Sequence, residues 1–340
     1  MITRLRRVIT IDRDSGIPLI GCIAFGIIDR GTNILQVRPT TICNLSCIYC
    51  STDAGPKSRY RLTEYVVNLD YLYDWVIEVV RYKGSRGIEI HIDTVGEPTT
   101  YPYLADLVQK LSSIKGVDVV SMQSNGTLLD EKRLEDLRDA GLSRLNLSID
   151  TLDSEKAKII AGTEDYDIEK VKAIAEYVTS INGLDLLIAP VWVPGINDQD
   201  IPEIIEYALR IGAGKKWPPL GIQKYEAHKR GRKPSSIKPF SWTRFYRELH
   251  RLEKKYGIKL ILKPEDFGIH PRPTIPSPFT TGMKIKAEIV ASGWLKGEVL
   301  AVAKGRAITV VDASDELIGR RAYLRIISCK HNIYLARIEG

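Results

Sequence analysis

The chain of 340 residues has no apolar run long enough to cross a bilayer. Its longest such stretch, Gly16 to Ile28, has thirteen residues and is interrupted by Pro18 and several glycines. A hairpin leading into a larger sheet is the better reading of that stretch, and no membrane partner is expected. A secretory signal is not expected either, because Asp12 and Asp14 interrupt the approach and no small-residue cleavage pattern follows. Cysteine is scarce: five residues, three of them in one cluster, which excludes a dense disulfide framework and suits a reducing, cytoplasmic interior. There is no internal repeat and no long low-complexity segment. Few glutamines beside many Ile, Lys, Arg and Glu suit a heat-adapted protein.

What is present is unevenly distributed. With 44% hydrophobic content, the chain suffices for one large core and a small second unit. Net charge is +7, yet residues 1–214 carry 23 basic and 31 acidic side chains, a net −8. Residues 215–263 carry 15 basic and 3 acidic ones, a net +12, and residues 264–340 add +3. A localised basic segment is the electrostatic footprint of a polyanion-binding surface, and a solvated lysine-rich helix face is the alternative.

From about residue 33, strand-like and helix-like segments alternate, as in parallel strands joined by crossover helices. Strands are expected at 34–39, 87–93, 117–124, 144–150, 184–193 and 220–225. Helices are expected at 70–82, 103–114, 130–140, 167–180, 199–211 and 242–256, with a strand-like run at 258–262. The segment 270–278 holds four prolines in nine residues, an extended connector. Beyond it, short strands separated by glycines read as a small OB-like barrel. The division is therefore an N-terminal extension (1–32), an α/β core with a basic extension (33–263), a proline-rich linker (264–282) and an all-β barrel (283–340).

The chemistry centres on Cys43, Cys47 and Cys50, spaced C-x3-C-x2-C with Tyr49 before the last. Three thiolates on one loop can hold three corners of an iron-sulfur cube and leave the fourth iron open for a ligand, whereas a ferredoxin supplies four cysteines. A zinc site would need a fourth ligand, with His91 the nearest histidine, and a disulfide would leave one thiol over. On the strands, Gln36 and Arg38 share a face, as do Glu89, His91 and Asp93; Ser121, Gln123 and Asn125; and Asn146, Ser148 and Asp150. A polar interior toward the carboxyl ends of parallel strands indicates a ligand cavity.

The cysteine loop resembles the radical S-adenosylmethionine (SAM) superfamily. Val95-Gly96-Glu97-Pro98 resembles that superfamily's Gly-Gly-Glu-Pro motif, with Val95 in place of the first glycine. Ser124-Asn125-Gly126-Thr127 and Ser148-Ile149-Asp150 resemble its later strand-end segments. The resemblance implies a partial (β/α)6 barrel, a 4Fe-4S cluster on the three cysteines and SAM chelated to the open iron. It further implies reductive cleavage of SAM to a 5'-deoxyadenosyl radical, with an electron donor such as ferredoxin or flavodoxin. Gly96, Glu97, Ser124, Asn125, Ser148 and Asp150 would approach SAM, and Tyr49 would lie against the adenine; Ser124 and Ser148 read equally well as caps. The tail resembles a TRAM domain, which implies an RNA substrate, with tRNA the leading expectation.

Candidate catalytic residues are Arg38, His91, Asp93 and Gln123, with Gln36 and Gln223 nearby; for His91 an internally bonded core histidine is the rival. RNA contacts are expected from Lys224, Lys229, Arg230, Arg232 and Lys233, and from Trp294, Tyr323 and Tyr334 in the tail. Cys22 and Cys329 cannot hold a second three-cysteine cluster and read as buried, inert thiols. The competing readings are a radical enzyme acting on a small molecule or peptide, and a non-enzymatic iron-sulfur RNA-binding protein.

Overall fold

The computed structural model describes residues 6–339, so residues 1–5 of the expected N-terminal extension lie outside the described part. The first strands are β1 (Arg7–Ile11), β2 (Gly26–Asp29), β3 (Ile34–Arg38) and β4 (Thr63–Val67), followed by α1 (Leu69–Tyr82). The core continues through β5 (Ile88–Ile92), α2 (Leu104–Ser112), β6 (Val117–Ser124), α3 (Glu131–Asp139) and β7 (Arg144–Leu147). It closes with α4 (Ser154–Ala161), α5 (Ile168–Ser180), β8 (Asp185–Ile188), β9 (Val191–Trp192), α6 (Asp200–Arg210), β10 (Gln223–Lys224) and α7 (Trp242–Tyr256). Strands β3, β5, β6, β7 and β8 pair in parallel, and β2 lies antiparallel to β3 at the edge.

Helix formation follows local chemistry. In α1, Asn68 caps the N-terminus by accepting from the Tyr71 amide, Arg81 sits in the last turn, and Leu72, Val76, Val79 and Val80 form the buried stripe. In α7, Ser241 caps the start, Gly257 ends the helix in the left-handed region, and only Phe245, Leu249 and Leu252 are buried. On β5 the alternation is clear: Ile88, Ile90 and Ile92 are fully buried, while Glu89 and His91 occupy the opposite face.

Three expected strands differ. The run 184–193 is split into β8 and β9 at Ala189–Pro190, where proline supplies no amide hydrogen for the ladder. The sixth parallel position shrinks to an Ile188–Leu220 bridge and the two-residue pairing of β10 with β9. The run 258–262 is not a strand, because the Glu253 carboxylate takes the amides of Leu260 and Ile261 at 2.8 and 2.9 Å. The pairing of β1 with β4 and helix α4 were not anticipated.

The tail is a closed five-stranded barrel of β11 (Lys284–Ser292), β12 (Glu298–Ala303), β13 (Arg306–Val311), β14 (Arg321–Ser328) and β15 (Leu335–Ile338), in the order β11-β12-β13-β15-β14. It has its own core, including Phe279, Ile289, Val299, Ile308 and Tyr334. Trp294, Leu300 and Ala307, however, belong to the core of the α/β body. The body and barrel exchange backbone bonds: Ala307 donates to Ile20 at 2.9 Å and Tyr334 to Gly21 at 2.9 Å. A Cβ on Gly21 (φ +126°) would meet the Ala307 carbonyl oxygen at 1.9 Å, so only glycine permits this approach.

The linker is strapped down as well. Lys83, wholly buried, pairs with Asp29 at 2.7 Å and donates to the Pro273 carbonyl at 3.0 Å, and Asp29 accepts from the Ile275 amide.

Because the two units share a core, deletion of 283–340 should leave an insoluble or largely unfolded body. Gly21→Ala should lower stability by more than about 1 kcal/mol, since both φ and space forbid the methyl. Circular dichroism and thermal melts test both. A soluble truncated chain that melts like the full protein would refute the shared core.

Candidate active site

The loop after β3 carries the three cysteines to the carboxyl end of the sheet, where they line a cavity of about 560 Å³. The same cavity is lined by Tyr49, His91, Asp93, Gly96, Glu97, Gln123, Ser124, Asn125, Ser148, Asp150, Gln223 and Lys224, so residues far apart in sequence meet there. Burial pushes the Cys43 thiol up to about 12, with nearby Glu97 adding to it. Cys47 is pushed well above the usual thiol range by burial and by its sister cysteines. Such thiols ionise only with a cationic partner. Among the described residues, no three His, Cys, Asp or Glu side chains close around a single-ion position. Three thiolates on one loop would fit three corners of a multi-iron cluster and leave the fourth iron open.

Backbone cradles fit such a group. A Cβ on Gly96 would lie 2.2 Å from the Ile42 carbonyl oxygen and 2.3 Å from that of Thr41, so the loop after β5 can press on the cysteine loop only through glycine. Val95 is absent from the residues with positive φ, so valine in place of the motif's first glycine meets no backbone strain.

Beneath the loop lies Arg61, with 3% of its surface exposed. It donates to the carbonyls of Thr41 (2.5 Å) and Thr52 (3.1 Å) and to that of Val95, and pairs with Glu64 at 3.0 Å. Arg232 donates to the carbonyls of Cys47 (2.7 Å) and Ala54 (2.6 Å) and pairs with Asp53 at 3.0 Å.

Several motif residues are committed within the protein. Glu97 accepts from the Thr99 amide, the Thr99 and Ser124 hydroxyls and the Asn125 amide, so both oxygens are already engaged. Burial nonetheless raises its carboxyl above the ordinary range. Asn125 donates to Asn44 of the cysteine loop at 3.0 Å and so positions that loop. Tyr49 donates to Asp150, whose carboxyl burial pushes up to about 6, and Gln123 donates to Ser148 at 2.9 Å. Asp93 accepts from Gln36 at 2.7 Å and Arg38 at 2.8 Å.

The expected RNA contacts need correction. Arg232 clamps the cysteine loop, Arg230 pairs with Glu298 of the barrel, and Lys224 pairs with Glu226 at 2.6 Å with its side chain 4% exposed. Trp294 is buried over the Arg61 guanidinium at 4.8 Å, and Tyr334 is wholly buried with its hydroxyl on Asn332 and Ser277. Apart from the local Lys224–Glu226 pair, each is consumed by packing between segments distant in sequence. Only Lys229, Lys233 and Tyr323 stay exposed. Cys22 is buried against Thr309, whereas Cys329 is half-buried beside Thr281, not the buried thiol expected. Arg61, Tyr166, Trp242 and Tyr246 were missed. Trp242 and Tyr246, one turn apart at the start of a helix rich in cations, were the legible signal among them.

Comparison with known proteins agrees with this geometry. The radical SAM superfamily model matches residues 37–208, and the chain belongs to that superfamily. An uncharacterized protein of Methanocaldococcus jannaschii is 44% identical over 349 residues, covering 97% of this chain and 80% of that one. The GTP 3',8-cyclase of Chlorobaculum tepidum is 31% identical over 195 residues, 57% of this chain, which spans only 54% of that enzyme. The structure of Streptococcus suis SuiB bound to S-adenosylmethionine superimposes with a TM-score of 0.51 at 17% identity, covering 73% of this chain and 51% of that one, a likeness of fold alone. The cofactors of the superfamily are a 4Fe-4S cluster and SAM. Among the described residues, no helix is long and apolar enough to cross a membrane.

Cys43, Cys47 and Cys50 together replaced by alanine should abolish the visible absorbance of anaerobically reconstituted protein, whereas Cys22→Ser and Cys329→Ser should keep it. Gly96→Ala should lower SAM affinity at least about tenfold, roughly 1.4 kcal/mol, measured by equilibrium dialysis. Full absorbance in the triple variant would refute the ligand set.

Proposed function

We propose that this radical SAM enzyme acts on RNA, with tRNA the leading substrate. When bound, the cluster and SAM supply a carbon-centred radical that removes a hydrogen atom from the substrate. The chain's part is to hold the cluster on Cys43, Cys47 and Cys50, to shape the SAM pocket with Gly96, Ser148 and Asp150, and to limit water. An external electron donor, such as ferredoxin or flavodoxin, would supply the electron that this chemistry needs. A cavity of about 560 Å³ is sized for a drug-like ligand. With SAM inside, a polymeric substrate would present one nucleotide at its mouth.

The observation that carries the RNA reading is a stacked aromatic pair beside that mouth. Trp242 and Tyr246 are 55% and 46% exposed, their rings 5.6 Å apart and 26° from parallel. Lys224, a cavity-lining residue, holds its ammonium 4.8 Å from the Trp242 ring. No acid occupies the first turn of α7, and Lys229, Lys233, Lys238 and Arg244 are exposed on the same basic segment. Exposed rings among cations suit unstacked bases and phosphates. A barrel of TRAM-like, OB-like type over 283–340 is consistent with this reading, with Tyr323 and Lys286 as its exposed contribution. A free nucleoside triphosphate is the second reading, favoured by the similarity to the GTP 3',8-cyclase.

Total tRNA should bind with an affinity that falls steeply as salt rises. The W242A/Y246A variant should bind at least about tenfold more weakly while its uncoupled SAM cleavage to deoxyadenosine is unchanged. Unchanged tRNA affinity in the variant, or affinity indifferent to salt, would overturn the RNA reading; GTP binding that tRNA does not displace would establish the second.

A further inference from the structure

One face of the α/β core sheet holds a chain of polar groups that the superfamily motifs do not include. Across the parallel strands, Gln36, His91, Ser121 and Arg144 are register partners, so they form one row on neighbouring strands. The His91 Nδ1 lies 2.8 Å from the Ser121 hydroxyl oxygen. That hydroxyl donates to the Glu89 carboxylate at 2.7 Å, and Arg144 donates to the same carboxylate oxygen at 2.6 Å. Arg144 is pinned in turn, with Trp217 and Phe267 rings 4.8 and 5.0 Å from its guanidinium carbon.

This order leaves one consistent arrangement of protons. A carboxylate paired with a buried arginine only accepts, and a serine has one hydroxyl hydrogen, so that hydrogen goes to Glu89. The Ser121 oxygen then accepts, and the hydrogen between it and His91 belongs to Nδ1. In a neutral ring Nε2 is left with its lone pair. His91 lines the cysteine cavity, and among the described residues no side chain or backbone group hydrogen-bonds its Nε2.

We propose that His91 is a substrate-binding residue whose tautomer is fixed by the Ser121–Glu89–Arg144 chain, so that Nε2 accepts a hydrogen bond from an O–H or N–H group of the substrate. The inference rests on the radical SAM assignment but not on the choice between RNA and a free nucleotide, since both carry ribose hydroxyls and amino groups. It assigns a polarity to the reacting end: the substrate donates there.

The charges around the ring support a neutral imidazole. Asp93, just past the end of the same strand, and Glu89 below His91 favour a proton, while Arg38 from β3 and Arg144 from β7 oppose one. Burial is the largest influence and moves the ring below its ordinary 6.5. Asp93 is itself held by Gln36 and Arg38. The acceptor therefore survives to mildly acid pH, where an ordinary histidine would be protonated.

With five histidines in the chain, the full-length protein labelled with ¹⁵N in its imidazole rings gives a resolvable set, and His91→Gln identifies the ring concerned. Nδ1 should appear protonated and Nε2 unprotonated at pH 7.5, and should remain so at pH 6.5. Ser121→Ala should abolish the tautomer preference, and Ser121→Thr, which restores the hydroxyl, should recover it. A wild-type ring protonated at Nε2, or a Ser121→Ala spectrum like that of the wild type, would overturn the proposal.

A second measurement addresses the substrate. His91→Asn, which retains a donor toward Ser121 but loses the Nε2 acceptor, should lower modification of total tRNA, or turnover of GTP, by at least tenfold. Unchanged modification would overturn the substrate contact. Unchanged tRNA binding in the Trp242 and Tyr246 variant would count against the RNA reading alone, because the ring spectrum needs no substrate.

Discussion

The site depends on one buried cation. Arg61 is 3% exposed and so must be satisfied almost wholly by the protein. The groups that satisfy it are the Thr41 carbonyl before the cysteines, the Thr52 carbonyl after them, the Val95 carbonyl beside Gly96, and the Glu64 carboxylate. Four separate stretches of chain thus converge on one guanidinium, whose planar fork offers five donors in fixed directions. The Trp294 ring from the barrel closes its remaining side. Lysine has the charge but not the fork, and would leave buried carbonyls unpaired. The loops that would carry the cluster and SAM are held by the same residue, so their mutual position follows from its geometry.

The interior of the sheet makes a complementary use of charge. A row of bulky branched side chains would fill a barrel, yet here Gln36, His91, Ser121 and Arg144 share one level across the strands. The lower part is neutralised by the Glu89–Arg144 pair, both nearly fully buried. Breaking such a pair from one side costs about 3–5 kcal/mol. The pair is therefore a poor place for a substrate to intrude, and the open polar groups lie above it, at the cavity.

Much of this was legible in the sequence where the information is local. The cysteine spacing, the glycine at position 96 and the two-residue alternation of β5 each follow from neighbours along the chain, and the helix caps at Asn68 and Ser241 do too. What was not legible is non-local satisfaction. Arg230 and Arg232 look like two more cations in a basic run, and nothing nearby in sequence says that Glu298 and the Cys47 carbonyl hold them. Trp294 and Tyr334 likewise look like aromatics of a binding face. The 258–262 run has the composition of a strand but loses its amides to a side chain on the preceding helix.

The same non-local contacts change what the tail does. A module tethered by an extended linker would act as an arm that captures a polymer and delivers it, and its effect would scale with linker length. Here the linker is tied to the body by Asp29 and Lys83, the barrel places Trp294 against Arg61, and Glu298 receives Arg230 from the segment that also carries the clamp Arg232. The barrel thus buttresses the site from behind, through contact with Arg61, which holds the cysteine loop, and with Arg230 beside the clamp Arg232. Any ligand on its outer face would act on the cysteine loop through packed groups rather than through a flexible tether. The exposed Trp242–Tyr246 pair, next to the cavity-lining Lys224, is a surface that this packing leaves free, and the proposed RNA contact rests on it.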